Sequence, residues 1–201
     1  MASAPLPEDH VFVAHPNAAA DVPKWKRVEY ELENDGRRVK GCRGRWAAAT
    51  KARLRDSSAA ISFKAIQVSP GSATSYGIMK ADASASSLLG MNAGGALALA
   101  SNGDFWVNVK LRQQDLDKVH KIGKDGVCTV VWDAEQCELR WYVDNNLVLR
   151  HAGDYGGGEY VFAAGGCVDH HVIEIVETEP PPLPPPPPAE PAQQKKGCAI
   201  L

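Results

Sequence analysis

From Trp25 to Glu177 the chain is cut into short apolar or alternating runs, each closed by asparagine, aspartate or glycine. AAISFKAIQV, GALALAS, DFWVNVKL, GVCTVVWD, CELRWYVD, NLVLRH, YVFAAGG and HHVIEIVE are of strand length and rich in valine, isoleucine and aromatics. Successive side chains of a strand point to opposite faces, so such runs bury one face and can expose the other. NDG at Asn34, SPG at Ser69, SNGD at Ser101, KDG at Lys124 and DNN at Asp144 separate them. Asparagine, aspartate and glycine tolerate the left-handed conformations of tight hairpin turns. Many short strands with little helix predict an all-β fold, an antiparallel β-sandwich or barrel. The single helical candidate, Gln113 to His120, is too short to define the fold.

The run GVCTVVWDAEQCELRWYVDNNLVLRH reads as a three-stranded meander. Cys128, Val130 and Trp132 share one face of the first strand, and Leu139, Trp141 and Val143 share one face of the second. A turn at Asp133 to Gln136 joins them, and Asn145–Asn146 makes the next. Cys128 and Cys137 flank the first turn, but alternation sets Cys137 against Trp132, so a disulfide is not expected. The five cysteines, irregularly spaced in a chain without a visible secretion signal, read as cytosolic thiols. MASAPLPEDH lacks a basic region followed by an apolar core, and position 2 is not glycine, which removes myristoylation. No run approaches the roughly 18 apolar residues that span a bilayer.

These motifs resemble those of SPRY domains. Asp133 ends one strand, Leu139, Trp141 and Tyr142 follow, and Asn145 turns, as in the C-terminal half of that family. Gly77–Ile78 is similar to its Gly-Val dipeptide, and Asn102, Gly103 and Trp106 to its turn and tryptophan. GEYVFAAGGCVDHHVIEI matches the closing strands only loosely, because the family has an aromatic-proline strand there. The resemblance covers Ala59 to Val176. It implies a concanavalin A-like jelly-roll sandwich, non-enzymatic, that binds a protein partner through loops at one end. Residues 1–24 would form an N-terminal extension and 25–177 the SPRY-like sandwich.

Composition changes after Glu177. TEPPPLPPPPPAEPAQQ carries almost no core residues and is expected to stay disordered as a linker over 178–196. Consecutive prolines prefer the polyproline II helix, which over Pro180 to Pro191 would span about 37 Å. Leu183 followed by Pro184, Pro185, Pro186 and Pro187 also suits the aromatic groove of a polyproline-binding protein. Residues 197–201 then carry Cys198-Ala199-Ile200-Leu201, a C-a-a-X prenylation box whose final leucine favours geranylgeranyl. Cys198 would be the lipid acceptor for a protein prenyltransferase, with Lys195 and Lys196 contacting an anionic surface. The expected location is cytoplasmic, on the cytosolic face of a membrane.

Arg37 to Arg55 carries eight basic residues and no acidic one. It reads as a solvated hairpin balanced by acids elsewhere, or as a second membrane contact. Trp46 is the only aromatic among them, so no nucleic acid is expected as a partner. Glu29, Glu31 and Glu33 share one face of a strand, which keeps a carbohydrate-binding or glycan-cleaving sandwich in view as the alternative. An exposed acidic face running into the NDG turn is the preferred reading. Cys167, Asp169, His170 and His171 offer metal-capable atoms, but neighbouring strand residues point apart. No metal or other cofactor is expected. The glycines at 156–158 read as a mobile loop.

Overall fold

A computed structural model describes residues 7–13, 29–43, 46–69, 72–82, 95–108, 110–113, 121–166 and 170–178. Thirteen strands are formed among the described residues: β1 (Glu29–Glu33), β2 (Arg38–Arg43), β3 (Trp46–Arg53), β4 (Ala59–Gln67), β5 (Thr74–Lys80), β6 (Leu97–Ala100), β7 (Phe105–Val107), β8 (Lys110–Gln113), β9 (Val127–Asp133), β10 (Glu138–Val143), β11 (Asn146–Ala152), β12 (Tyr160–Gly166) and β13 (Val172–Val176). They build a seven-stranded sheet, β1-β2-β13-β4-β9-β10-β11, and a six-stranded sheet, β3-β12-β5-β6-β7-β8. The described pairs of neighbouring strands are antiparallel. The expected all-β sandwich is the fold.

The core lies between the sheets and follows the alternation read in the meander. Cys128, Val130 and Trp132 of β9 and Leu139, Trp141 and Val143 of β10 are all buried in it. Both indoles are satisfied: Trp132 Nε1 donates to the Arg55 carbonyl at 2.7 Å and Trp141 Nε1 to the Tyr76 carbonyl at 2.9 Å. A tryptophan core therefore carries apolar area without an unpaired N–H at these two sites. Gly77 lets β5 and β6 approach, because a Cβ there would sit 1.9 Å from the Leu97 carbonyl oxygen.

The turns differ from expectation by one residue. β9 runs through Asp133, so the first turn is Ala134–Cys137; Asp133 Oδ1 accepts from the amides of Glu135 and Gln136 at 3.1 Å each. The second turn is Asp144–Asn145, with φ of 47° and 67°, the paired left-handed geometry of a tight hairpin. Cys128 is buried, Cys137 exposed, and both are free. Gln113, expected to begin a helix, closes β8, and 114–120 lie outside the described residues.

Two features were not anticipated. Phe12, ahead of the sandwich start expected at 25, is buried in the core and stacks on Phe63 at 6.0 Å. Its segment runs along β3: Val13 donates to the Ala49 carbonyl, and Lys51 to that of Val11, both at 2.9 Å. The basic stretch, expected as one hairpin, is divided between the sheets. Val39 points into the core, so Arg38 and Lys40 face out of the seven-stranded sheet. Ala48 and Ala52 point in, so Lys51 and Arg53 face out of the six-stranded sheet on the other side. No single cationic face forms from the described part of this stretch.

Candidate functional site

Antiparallel order puts the connections at two ends of the sandwich. One end gathers 34–37, 54–58, 134–137, 153–159 and the exit of the chain after β13; the other gathers 68–69, 72–73, 101–104, 144–145 and 170–171. The first end carries an aromatic cluster. Tyr155 stands edge-on to Trp132 at 5.9 Å and to Tyr160 at 5.2 Å, and shares a 3.0 Å hydrogen bond with His151 Nδ1. The His151 ring also lies 5.7 Å from Phe105. Tyr155 is buried, whereas His151 and Tyr160 are half-buried, so the cluster presents a ring and an imidazole at the surface.

Local sequence explains this seat. Gly153 has no Cβ, which would otherwise fall 2.6 Å from the Tyr155 hydroxyl. The glycine run expected to be mobile is tied at Gly158, whose amide donates to the Leu54 carbonyl at 2.9 Å and whose carbonyl accepts from Arg53 Nη1 at 2.8 Å. Burial pushes the Tyr155 phenol up to about 12, with Tyr160 adding to it. Burial lowers the His151 pKa, and Arg112 lowers it further. Both rings are therefore uncharged at neutral pH and suit an apolar or hydrogen-bonding ligand.

Beside this end lies an ion network. Glu138 Oε1 accepts from Arg140 Nε at 2.8 Å and from Arg150 Nε at 2.6 Å, and Arg140 Nη2 meets Asp133 Oδ2 at 2.9 Å. Burial alone would raise the Glu138 carboxyl, but hydrogen bonds from Arg150 and Arg140 hold it below the usual range. The sequence signal was available: Glu138 and Arg140 alternate with core residues, so they share the outer face.

At the opposite end Ser72 Oγ lies 2.8 Å from His171 Nε2. The hydroxyl also donates to the Ser69 carbonyl at 2.8 Å. Its proton is thus committed, and the imidazole must be the donor toward Ser72. A general base would have to accept that proton, so the pair lacks the arrangement of an activated nucleophile. Burial lowers the His171 pKa.

The other candidates fall as follows. His170 is exposed and His171 buried, and no group of three or more metal-capable side chains gathers among the described residues. Glu31 lies 4.0 Å from Lys40 Nζ and Glu33 3.9 Å from Arg38 Nη1, while Tyr30 and Leu32 pack on the core. That is a charged outer face with paired ions. Leu183, Pro184, Pro185, Pro186, Pro187, Lys195, Lys196, Cys198, Ala199, Ile200 and Leu201 lie outside the described residues. Among the described residues no helix is long and apolar enough to cross a membrane.

No family model matches the sequence, and no curated protein matches it. Solved structures do match the fold. The SPRY domain of human HERC1 superposes with a TM-score of 0.63 at 12% identity, over 75% of this chain and 93% of that one. A human SPRY domain gives 0.60 at 11%, over 75% and 99%. The TRIM65 PSpry domain gives 0.58 at 11%, over 84% and 92%. With two antiparallel sheets in common and nearly the whole of each of those domains matched, this chain has the fold of SPRY domains.

Proposed function

We propose that this chain is a non-enzymatic protein-interaction module that holds a partner at the cytosolic face of a membrane. SPRY domains are interaction modules, and the likeness in fold to three of them supports the first part of this reading. The partner would be a peptide segment of another protein, taken at the end where Tyr155, Tyr160 and His151 cluster. Uncharged aromatic and imidazole groups there match an apolar anchor with one polar contact.

Geranylgeranylation of Cys198 supplies the membrane part. The observation that carries it is an order: sandwich, proline-rich spacer from Pro180, then Cys198-Ala199-Ile200-Leu201. One prenyl chain binds membranes reversibly, and Lys195 and Lys196 add about 1 kcal/mol each near an anionic leaflet. Incubating the full chain with a geranylgeranyltransferase and labelled geranylgeranyl diphosphate should label it at Cys198. Absence of label, or equal label on a Cys198→Ser variant, would sink the lipid assignment. For the partner end, Tyr160→Ala should weaken partner binding without altering the melting transition of the sandwich by more than a few degrees.

A further inference from the structure

One patch of the outer face of the seven-stranded sheet, over β4, β9 and β10, is buried, while the side chains of Glu31, Lys40 and Arg150 on the same face stay exposed. Ser62 (β4), Thr129 and Val131 (β9), and Arg140 and Tyr142 (β10) alternate with core-facing residues and so project outward, yet each is at most 8% exposed. Two of them hold polar atoms with no hydrogen-bond partner: Tyr142 Oη and Arg140 Nη1. A buried donor without a partner costs enough that such groups are normally met.

The chain's own exit points at this face. Val176 of β13 pairs with Ser62, Ser62 with Thr129, and Thr129 with Tyr142, so the four lie in one row across four strands. Two residues past Val176, the Thr178 hydroxyl is hydrogen-bonded to Ser62 Oγ, on the outer side of that row. Glu179 and Pro180 follow. The long internal stretches outside the described residues start or end elsewhere. Residues 83–94 and 114–120 leave from the six-stranded sheet, and 14–28 reach β1 at the far edge.

We propose that the proline-rich segment beginning at Pro180 docks back on this face as a polyproline II strand over Thr129, Val131, Arg140 and Tyr142. From β4, where Thr178 is held, to β10 is two strand spacings, about 10 Å, and three polyproline II residues cover about 9 Å. Counted from Thr178, Pro181 would therefore lie over β10, with Leu183 carried on toward β11. The chemistry is complementary: proline residues have carbonyl acceptors and no N–H, while the face offers a phenol and a guanidinium with unused donors. The outer face of the sandwich would act as the binding surface for its own spacer. A docked spacer is shorter, and it competes with any external polyproline-binding protein for Leu183 to Pro187.

The unlipidated full chain tests this, so failure leaves the membrane reading standing. Residues 180–188 are replaced by glycine and serine at equal length, and the two proteins are compared by NMR. The expected result is a change in the Thr129 and Val131 methyl and Arg140 guanidinium resonances, reversed by adding a peptide of the sequence Glu179 to Glu190. Resonances that stay unchanged overturn the proposal, as do changes that follow protein concentration, which would mark a second copy as the occupant. Tyr142→Phe keeps the ring and removes one donor; it should lower the docked-to-free ratio about fivefold, the worth of one hydrogen bond. A ratio equal to the parent's contradicts the assigned contact.

Discussion

At Gly77 the absent side chain is a packing requirement, since a Cβ would meet the Leu97 carbonyl at 1.9 Å. Gly77→Ala should destabilise the fold by about 3 kcal/mol, read as a lower urea midpoint with unchanged slope. Arg140 works in the other direction, by what it neutralises. Removing it leaves Asp133, 8% exposed at the side chain, and Glu138, 15% exposed, without their shared cation. Arg140→Ala should cost about 3 kcal/mol. His171 gives a pH signature. Burial depresses its folded pKa below the unfolded value near 6.5, so the unfolded chain binds the proton first. Stability attributable to it is fully present above pH 6.5 and is lost as pH falls below that value. His171→Gln should flatten that dependence in unfolding curves between pH 7 and pH 5; an unchanged slope would show that His171 does not contribute it.

At the scale of elements, the strands that alternate cleanly were legible from the sequence, and those built on exceptions were not. β9 and β10 bury the faces their alternation predicted, because aromatic and β-branched residues recur at every second position. The one-residue offsets at 133–137 and 144–146 arise because aspartate can end a strand or open a turn. The geometry is set by which residue takes positive φ, here Cys137, Asp144 and Asn145. Phe12 was invisible since a single aromatic in a loop-like stretch has no period to betray it. It is buried all the same, and Phe12→Ala should lower stability by about 3 kcal/mol, measured by thermal unfolding. The basic stretch misled for a related reason: proximity in sequence does not say that β2 and β3 belong to different sheets. Of the aromatic end, Trp132 was legible as core. Tyr155 and His151 were not, because their meeting depends on the path of 153–159.

For the molecule as a whole, the proposed function makes the sandwich a recognition unit, the proline-rich segment a spacer and Cys198 a lipid acceptor. The most direct test is fractionation of cells expressing the full chain beside a Cys198→Ser variant. The account predicts that the parent is enriched in membranes at least about tenfold over the variant, as loss of a single prenyl chain allows. Equal distribution of the two proteins between membrane and soluble fractions would contradict it.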